Sequence, residues 1–256
     1  MKKDMPSGKV FQMHVTAQHN RTEAQTRIRE ELAGLADEKY RRFSSGLLPG
    51  TENIIGVRIP DLRRIAQREA KSGWKEYLAD ASDDSFEEIM LQGLVTCYAK
   101  ADPDEICKAL DAFVPKIDNW SVCDSTVMTL KTAKKHPEVF FSYAEKCIAE
   151  NTEFSVRFGI VLLLAHFITD EYYKKVLSLI NRSSFPGYYA SAAAAWAVSV
   201  AFAKYPEYTE MWLQTCRLDT ETFNKSLQKI KESFRIDTET KKRIGMMKRI
   251  FHKRIE

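Results

Sequence analysis

Residues 154–168 read FSVRFGIVLLLAHFI, apolar almost throughout and broken by a single full charge, Arg157. A segment apolar on every face predicts a buried central helix rather than a surface one. Its longest unbroken greasy run, 160–165, is far too short to span a bilayer. Outward from this segment the same helical spacing recurs. Toward the C-terminus, 190–203 is alanine-rich, which permits close helix packing, and Pro206 opens a further helix. Toward the N-terminus, Pro137 and Pro103 each open one, and residues 86–98 form another. In IPDLRRIAQREAKSG, Pro60 starts a helix with Leu62, Ile65 and Ala66 as its stripe, and Gly73 ends it. Residues 22–36 give the first helix, and the stretch before it reads as a loosely held extension. The expected organisation is therefore a flexible extension over 1–21 and a single helical domain over 22–256.

Composition agrees. With 256 residues, 44% hydrophobic and 29% charged, the chain is globular and not disordered. Ten glycines and eight prolines are too few for the turns of an all-β protein of this length. No alternating apolar and polar run predicts a strand. Five cysteines with no CxxC pair point to a reducing, cytoplasmic setting. Five scattered histidines, with no HExxH and no zinc-type spacing, predict no metal and no cofactor. The start, MKKDMPSGKVFQMHV, lacks the apolar region of a signal peptide, and no membrane association is expected.

The net charge of +4 is modest for a nucleic-acid binder, but it is unevenly placed. Residues 1–21 carry +3, 22–200 carry −4 and 201–256 carry +5. Cations such as Lys241-Lys242-Arg243, Lys248-Arg249 and Lys253-Arg254 suit phosphate contacts or, more ordinarily, a solvated helix face.

Many short helices joined by tight turns fit an irregular bundle or a helical solenoid. Spacing favours the solenoid. Arg157 follows Trp120 by 37 residues, and Trp196 follows Arg157 by 39. Both intervals are near the roughly 40-residue period of helix-pair repeats. Side chains one period apart then line one concave groove.

Trp120 and Asp124, in DNWSVCD, are four apart and share one helix face. An indole beside a carboxylate suits a cation: the ring face attracts it by its quadrupole and the carboxylate by its charge. The pair fits stabilisation of a developing cation or orientation of water, and equally a core tryptophan beside a solvated aspartate. Arg157 must face a carboxylate, a phosphate or a groove, because a guanidinium buried without a partner is very costly. Trp196 is the one bulky aromatic in SAAAAWAVSV, and either fills a helix interface or faces the groove.

Six segments in order, KYRRFSSGLLPG, NIIGVRIPDLRRIA, VPKIDNWSVCD, FSVRFGIVLLLAHFI, YYASAAAAWAVSVAFAKYPE and RLDTETFNKSLQKIKESFRI, resemble the AlkD-like DNA alkylation repair family over roughly residues 25–236. Members are monofunctional DNA glycosylases built from HEAT-like repeats. The resemblance implies an all-α superhelical solenoid with a concave DNA-binding groove, acting as a monomer on double-stranded DNA with alkylated bases. It implies base excision repair by release of cationic N3- or N7-alkylated purines. Asp124 matches the catalytic carboxylate, Trp120 and Trp196 the two aromatics at the lesioned nucleotide, and Arg157 a backbone-binding arginine. Lys204 stands where the family often places a backbone-binding arginine. A paralogue that keeps the solenoid without catalysis would bind bent or branched DNA or a protein partner, and that alternative makes no use of Asp124.

Overall fold

The computed structural model describes residues 22–250, and within them the chain is all-helical. The extension over 1–21 and the basic pair Lys253-Arg254 lie outside the described residues. Thirteen α-helices follow one another among the described residues. The first four are α1 (Glu23–Gly34), α2 (Glu38–Leu47), α3 (Ile59–Asp80) and α4 (Phe86–Tyr98). Then come α5 (Pro103–Phe113), α6 (Trp120–Thr129), α7 (Pro137–Ala149), α8 (Glu153–His166) and α9 (Tyr173–Leu179). Last are α10 (Gly187–Lys204), α11 (Pro206–Thr215), α12 (Thr220–Glu232) and α13 (Thr238–Met246).

Local chemistry sets most of these boundaries. Pro60, Pro103, Pro137 and Pro206 stand in the first turn of α3, α5, α7 and α11, where a missing N–H costs nothing. Side chains of Asp37, Ser85, Asn119, Asp219 and Asp237 each accept a hydrogen bond from a backbone N–H of the helix they precede. Thr22 closes a full capping box with Gln25. Gly73 ends the first helical piece of α3 as its sequence suggests, its φ of 160° and ψ of 82° being non-helical, and a second piece runs on to Asp80 with Trp74 and Tyr77 packed onto the core.

The helices stack in two rows. Helix α4 packs on α6, α6 on α8, α8 on α10 and α10 on α12, forming a front row. Behind it, α5 packs on α4, α7 on α8, α9 and α11 on α10, and α13 on α12. Each unit touches mainly its neighbours, the arrangement of a helical repeat solenoid. Helix α8 is central, and every residue from Ser155 to Leu164 is buried.

The true period differs from the one read off the tryptophans. Front-row helices begin at 86, 120, 153, 187 and 220, a repeat of 33 or 34 residues. Trp120 is the first residue of α6, Arg157 the fifth of α8 and Trp196 the tenth of α10. Intervals of 37 and 39 therefore trace a diagonal that climbs about one helical turn per repeat.

Close approach of the rows depends on glycine. A Cβ on Gly93 would fall on Thr126 Oγ1 and 2.5 Å from Phe113 Cζ, where α4 meets α6 and α5. A Cβ on Gly159 would sit 2.7 Å from the Ala144 carbonyl oxygen, where α8 crosses α7. The link between α2 and α3 is pinned by Glu87, whose buried carboxylate accepts from the backbone N–H groups of Ile55, Gly56 and Val57. Gly56 adopts φ +99° there, which favours glycine.

Candidate functional site

Asn119 fixes the start of α6. Its side-chain oxygen accepts from Val122 N at 3.0 Å, so Trp120 becomes the first helical residue and Asp124 follows one turn later. Trp120, Asp124 and Met128 share the face of α6 that is not fully covered by neighbours. The indole Nε1–H of Trp120 donates to the Leu47 carbonyl at 3.3 Å, which ties α6 to the end of α2. Leu47 and Phe43 are both exposed on that helix, leaving an apolar shoulder beside the indole.

Asp124 meets Arg157 from the next front-row helix. Arg157 Nε donates to Asp124 Oδ1 at 2.9 Å and Nη2 donates to Oδ2 at 2.7 Å, a bidentate pair. Nη1 donates to the Tyr189 carbonyl at 2.9 Å, linking the pair to α10. These three bonds explain how a guanidinium only 6% exposed survives inside an apolar helix. Of the partners considered for Arg157 from sequence, the structure supplies the carboxylate.

Burial pushes the Asp124 carboxyl above its ordinary pKa of 3.8, although Arg157 pulls the other way. The neighbouring Cys123 thiol is fully buried and pushed well up, so it is no nucleophile. All five cysteines are free, and burial raises Cys107 to about 11 and Cys147 to about 12.

Tyr189 is a site residue that sequence reasoning did not single out. Its ring stacks on Phe154 (centroids 5.4 Å apart) and lies 5.9 Å from the Arg157 Cζ, while its N–H donates to Glu153 at 2.6 Å. The available signal was the spacing itself: Phe154 precedes Arg157 by one turn, and Tyr189 precedes Trp196 by two. Gly187, with φ +76°, lets the chain enter α10 directly over the Glu153 carboxylate.

Trp196 is half-buried on α10, in a cleft of about 490 Å³ whose walls include Met128, Ser199, Lys229, Ser233 and Arg235. Met128 is one turn beyond Asp124, so this cleft continues the exposed face of α6. Lys204 lies two turns beyond Trp196. Its ammonium donates to the Ile168 carbonyl at 2.9 Å, beside the Tyr205 ring. The structure thus joins Asp124 and Arg157 directly, sets Trp120 one turn away, and puts Trp196 farther along the same diagonal. Lys204 sits at the far end of α10.

Chemically, the arrangement offers one partly desolvated carboxylate, its charge matched by Arg157, one turn from the half-buried Trp120 indole and with Trp196 farther along the diagonal. The indole ring faces suit a cation. Among the described residues, no group of three or more His, Cys, Asp or Glu side chains is arranged to hold a metal ion. No helix of the described residues is long and apolar enough to cross a membrane.

A family model described as DNA alkylation repair enzyme matches residues 28–184. That span holds Trp120, Asp124 and Arg157, while Trp196 and Lys204 lie beyond it. No curated protein matches the chain.

Proposed function

Because the chain belongs to the DNA alkylation repair enzyme family, we propose that it is a DNA glycosylase releasing N3- and N7-alkylated purines from duplex DNA. A role in DNA alkylation repair follows from the membership itself. The observation that supports the finer reading is the Asp124–Arg157 pair, with Trp120 one turn away and Trp196 farther along the same diagonal.

An alkylated purine already bears a positive charge, which weakens its glycosidic bond. As the C1′–N bond breaks, its electron pair returns to the base, which departs neutral and needs no protonation. The positive charge moves to the sugar as an oxocarbenium ion. Asp124 opposes that charge at close range in a site of reduced dielectric, and Trp120 and Trp196 offer it their ring faces. Water then adds to C1′, and the proton it loses passes by way of Asp124 to solvent. Arg157 keeps the carboxylate ionised and oriented. As backbone ligands, Arg157 and Lys204 would reach phosphates only by exchanging bonds they already make.

The test is incubation of methylated duplex DNA with the purified protein, followed by quantitation of freed 3-methyladenine and 7-methylguanine. Release well above the uncatalysed background is expected. A background rate beside an active control glycosylase overturns the proposal.

A further inference from the structure

We propose that Lys229 and Arg235 form a phosphodiester-binding site in the Trp196 cleft that grips the backbone of duplex DNA. This rests on the reading of the protein as a DNA repair enzyme. It starts from a mismatch between charge and duty. The two cations nominated for the backbone are already engaged: Arg157 by Asp124 and the Tyr189 carbonyl, Lys204 by the Ile168 carbonyl. On α12, Lys225 stands 4.1 Å from the Tyr188 ring centroid and pairs with Glu221 at 3.5 Å. By contrast, among the described residues the Lys229 ammonium and the Arg235 guanidinium have no hydrogen-bond or ion-pair partner.

Position agrees with this freedom. The diagonal through Trp120, Arg157 and Trp196 moves four and then five residues deeper into each successive front-row helix. Lys229 is the tenth residue of α12, level with Trp196 in α10, and one more step of that size falls just past the end of α12, between Lys229 and Arg235, which both line the cleft beside Trp196. The only carboxylate in that lining is Glu232, which accepts from Gln228 at 2.9 Å. Two cations against one carboxylate leave the cleft net positive, and Ser199 and Ser233 add polar atoms to its walls. Arg235 also lines the adjoining cleft of Lys134 and His166, so it stands where the two troughs meet. A backbone crossing the front row along the diagonal would present successive phosphates to these two side chains.

The ordinary role for cations here is to complement the C-terminal dipole of α12. Lys231 serves as the control, because it sits in the same last turn yet faces α13, near Gly245. Binding of a fluorescein-labelled, unmodified duplex is measured by anisotropy over a salt series for the wild type, Lys229→Gln/Arg235→Gln and Lys231→Gln. Losing two phosphate contacts should lower the slope of log K against log salt by about 1.8. Affinity at low salt should fall tenfold or more, while Lys231→Gln keeps the wild-type slope. An unchanged slope in the double variant, or an equal loss in Lys231→Gln, overturns the site. A wild-type protein that binds no duplex even at low salt overturns both the site and the repair reading. Duplex binding lost in the double variant without any base release from the wild type would sustain the site while the glycosylase reading fell.

Discussion

Asp124 and Arg157 occupy the same, fifth position of consecutive front-row helices and share two hydrogen bonds at 2.9 and 2.7 Å. One solenoid repeat thus separates a carboxylate from the cation that holds it. Their side chains are 16% and 7% exposed, so each shields the other from the cost of burial.

Removing the cation should hurt both stability and activity. Arg157→Gln leaves Asp124 largely buried without its partner and the Tyr189 carbonyl without its donor, a loss of about 3 kcal/mol or more. Thermal unfolding would register this as a drop of several degrees. Arg157→Lys should rescue little, because an ammonium cannot reproduce the bidentate geometry.

Acid should switch the enzyme off earlier than an ordinary carboxylate would. In the proposed mechanism Asp124 acts ionised, and burial raises its pKa above 3.8. Single-turnover base release should therefore be level at neutral pH and fall about tenfold per unit below that raised pKa. In Arg157→Gln the acid limb should move further up, because the influence that lowers the pKa is gone. Stability runs the other way. A carboxyl whose pKa rises on folding contributes most below its unfolded value, and loses that contribution as pH climbs through the folded one.

The indoles should respond to the loss of an aromatic face. Trp120→Leu and Trp196→Leu each remove a ring worth about 0.5–2 kcal/mol to a nearby cation, a rate loss of roughly two- to thirtyfold. The phenylalanine versions should recover part of it in the same single-turnover assay. Equal rates for the leucine and wild-type proteins would remove that indole from the site.

Helix contact should depend on two glycines remote from the chemistry. Gly93→Ala and Gly159→Ala each force a methyl group against a tight neighbour, Phe113 with Thr126 or the Ala144 carbonyl. A cost of about 1–3 kcal/mol is expected for each, measured as a lower unfolding midpoint in denaturant.

The sequence carried the helices well because their start signals are local. Pro103, Pro137 and Pro206 mark first turns by their own geometry, and residues 154–168 announce a buried helix by composition. Gly73 was legible as a break, but not the second helical piece that follows it, because Trp74 and Tyr77 owe their place to packing on the core. The period was legible only as a diagonal. Trp120, Arg157 and Trp196 stand out chemically, yet the residues at equivalent places are Asp124 and Arg157, 33 apart. Their pairing is a tertiary contact that no local rule reaches. Tyr189 acts through its carbonyl as well as its ring, and a backbone acceptor leaves no trace in residue type. Lys229 and Arg235 were hidden among other basic residues of the C-terminal segment, because sequence does not tell a free cation from a paired one.

The central claim is that Asp124 stabilises the cationic sugar as the base departs, and Asp124→Asn tests it most directly. The measurement is the single-turnover rate of 7-methylguanine release from methylated duplex, with duplex affinity determined in parallel. The account predicts a rate loss of about a hundredfold or more with affinity little changed. A variant that releases 7-methylguanine at the wild-type rate would contradict it.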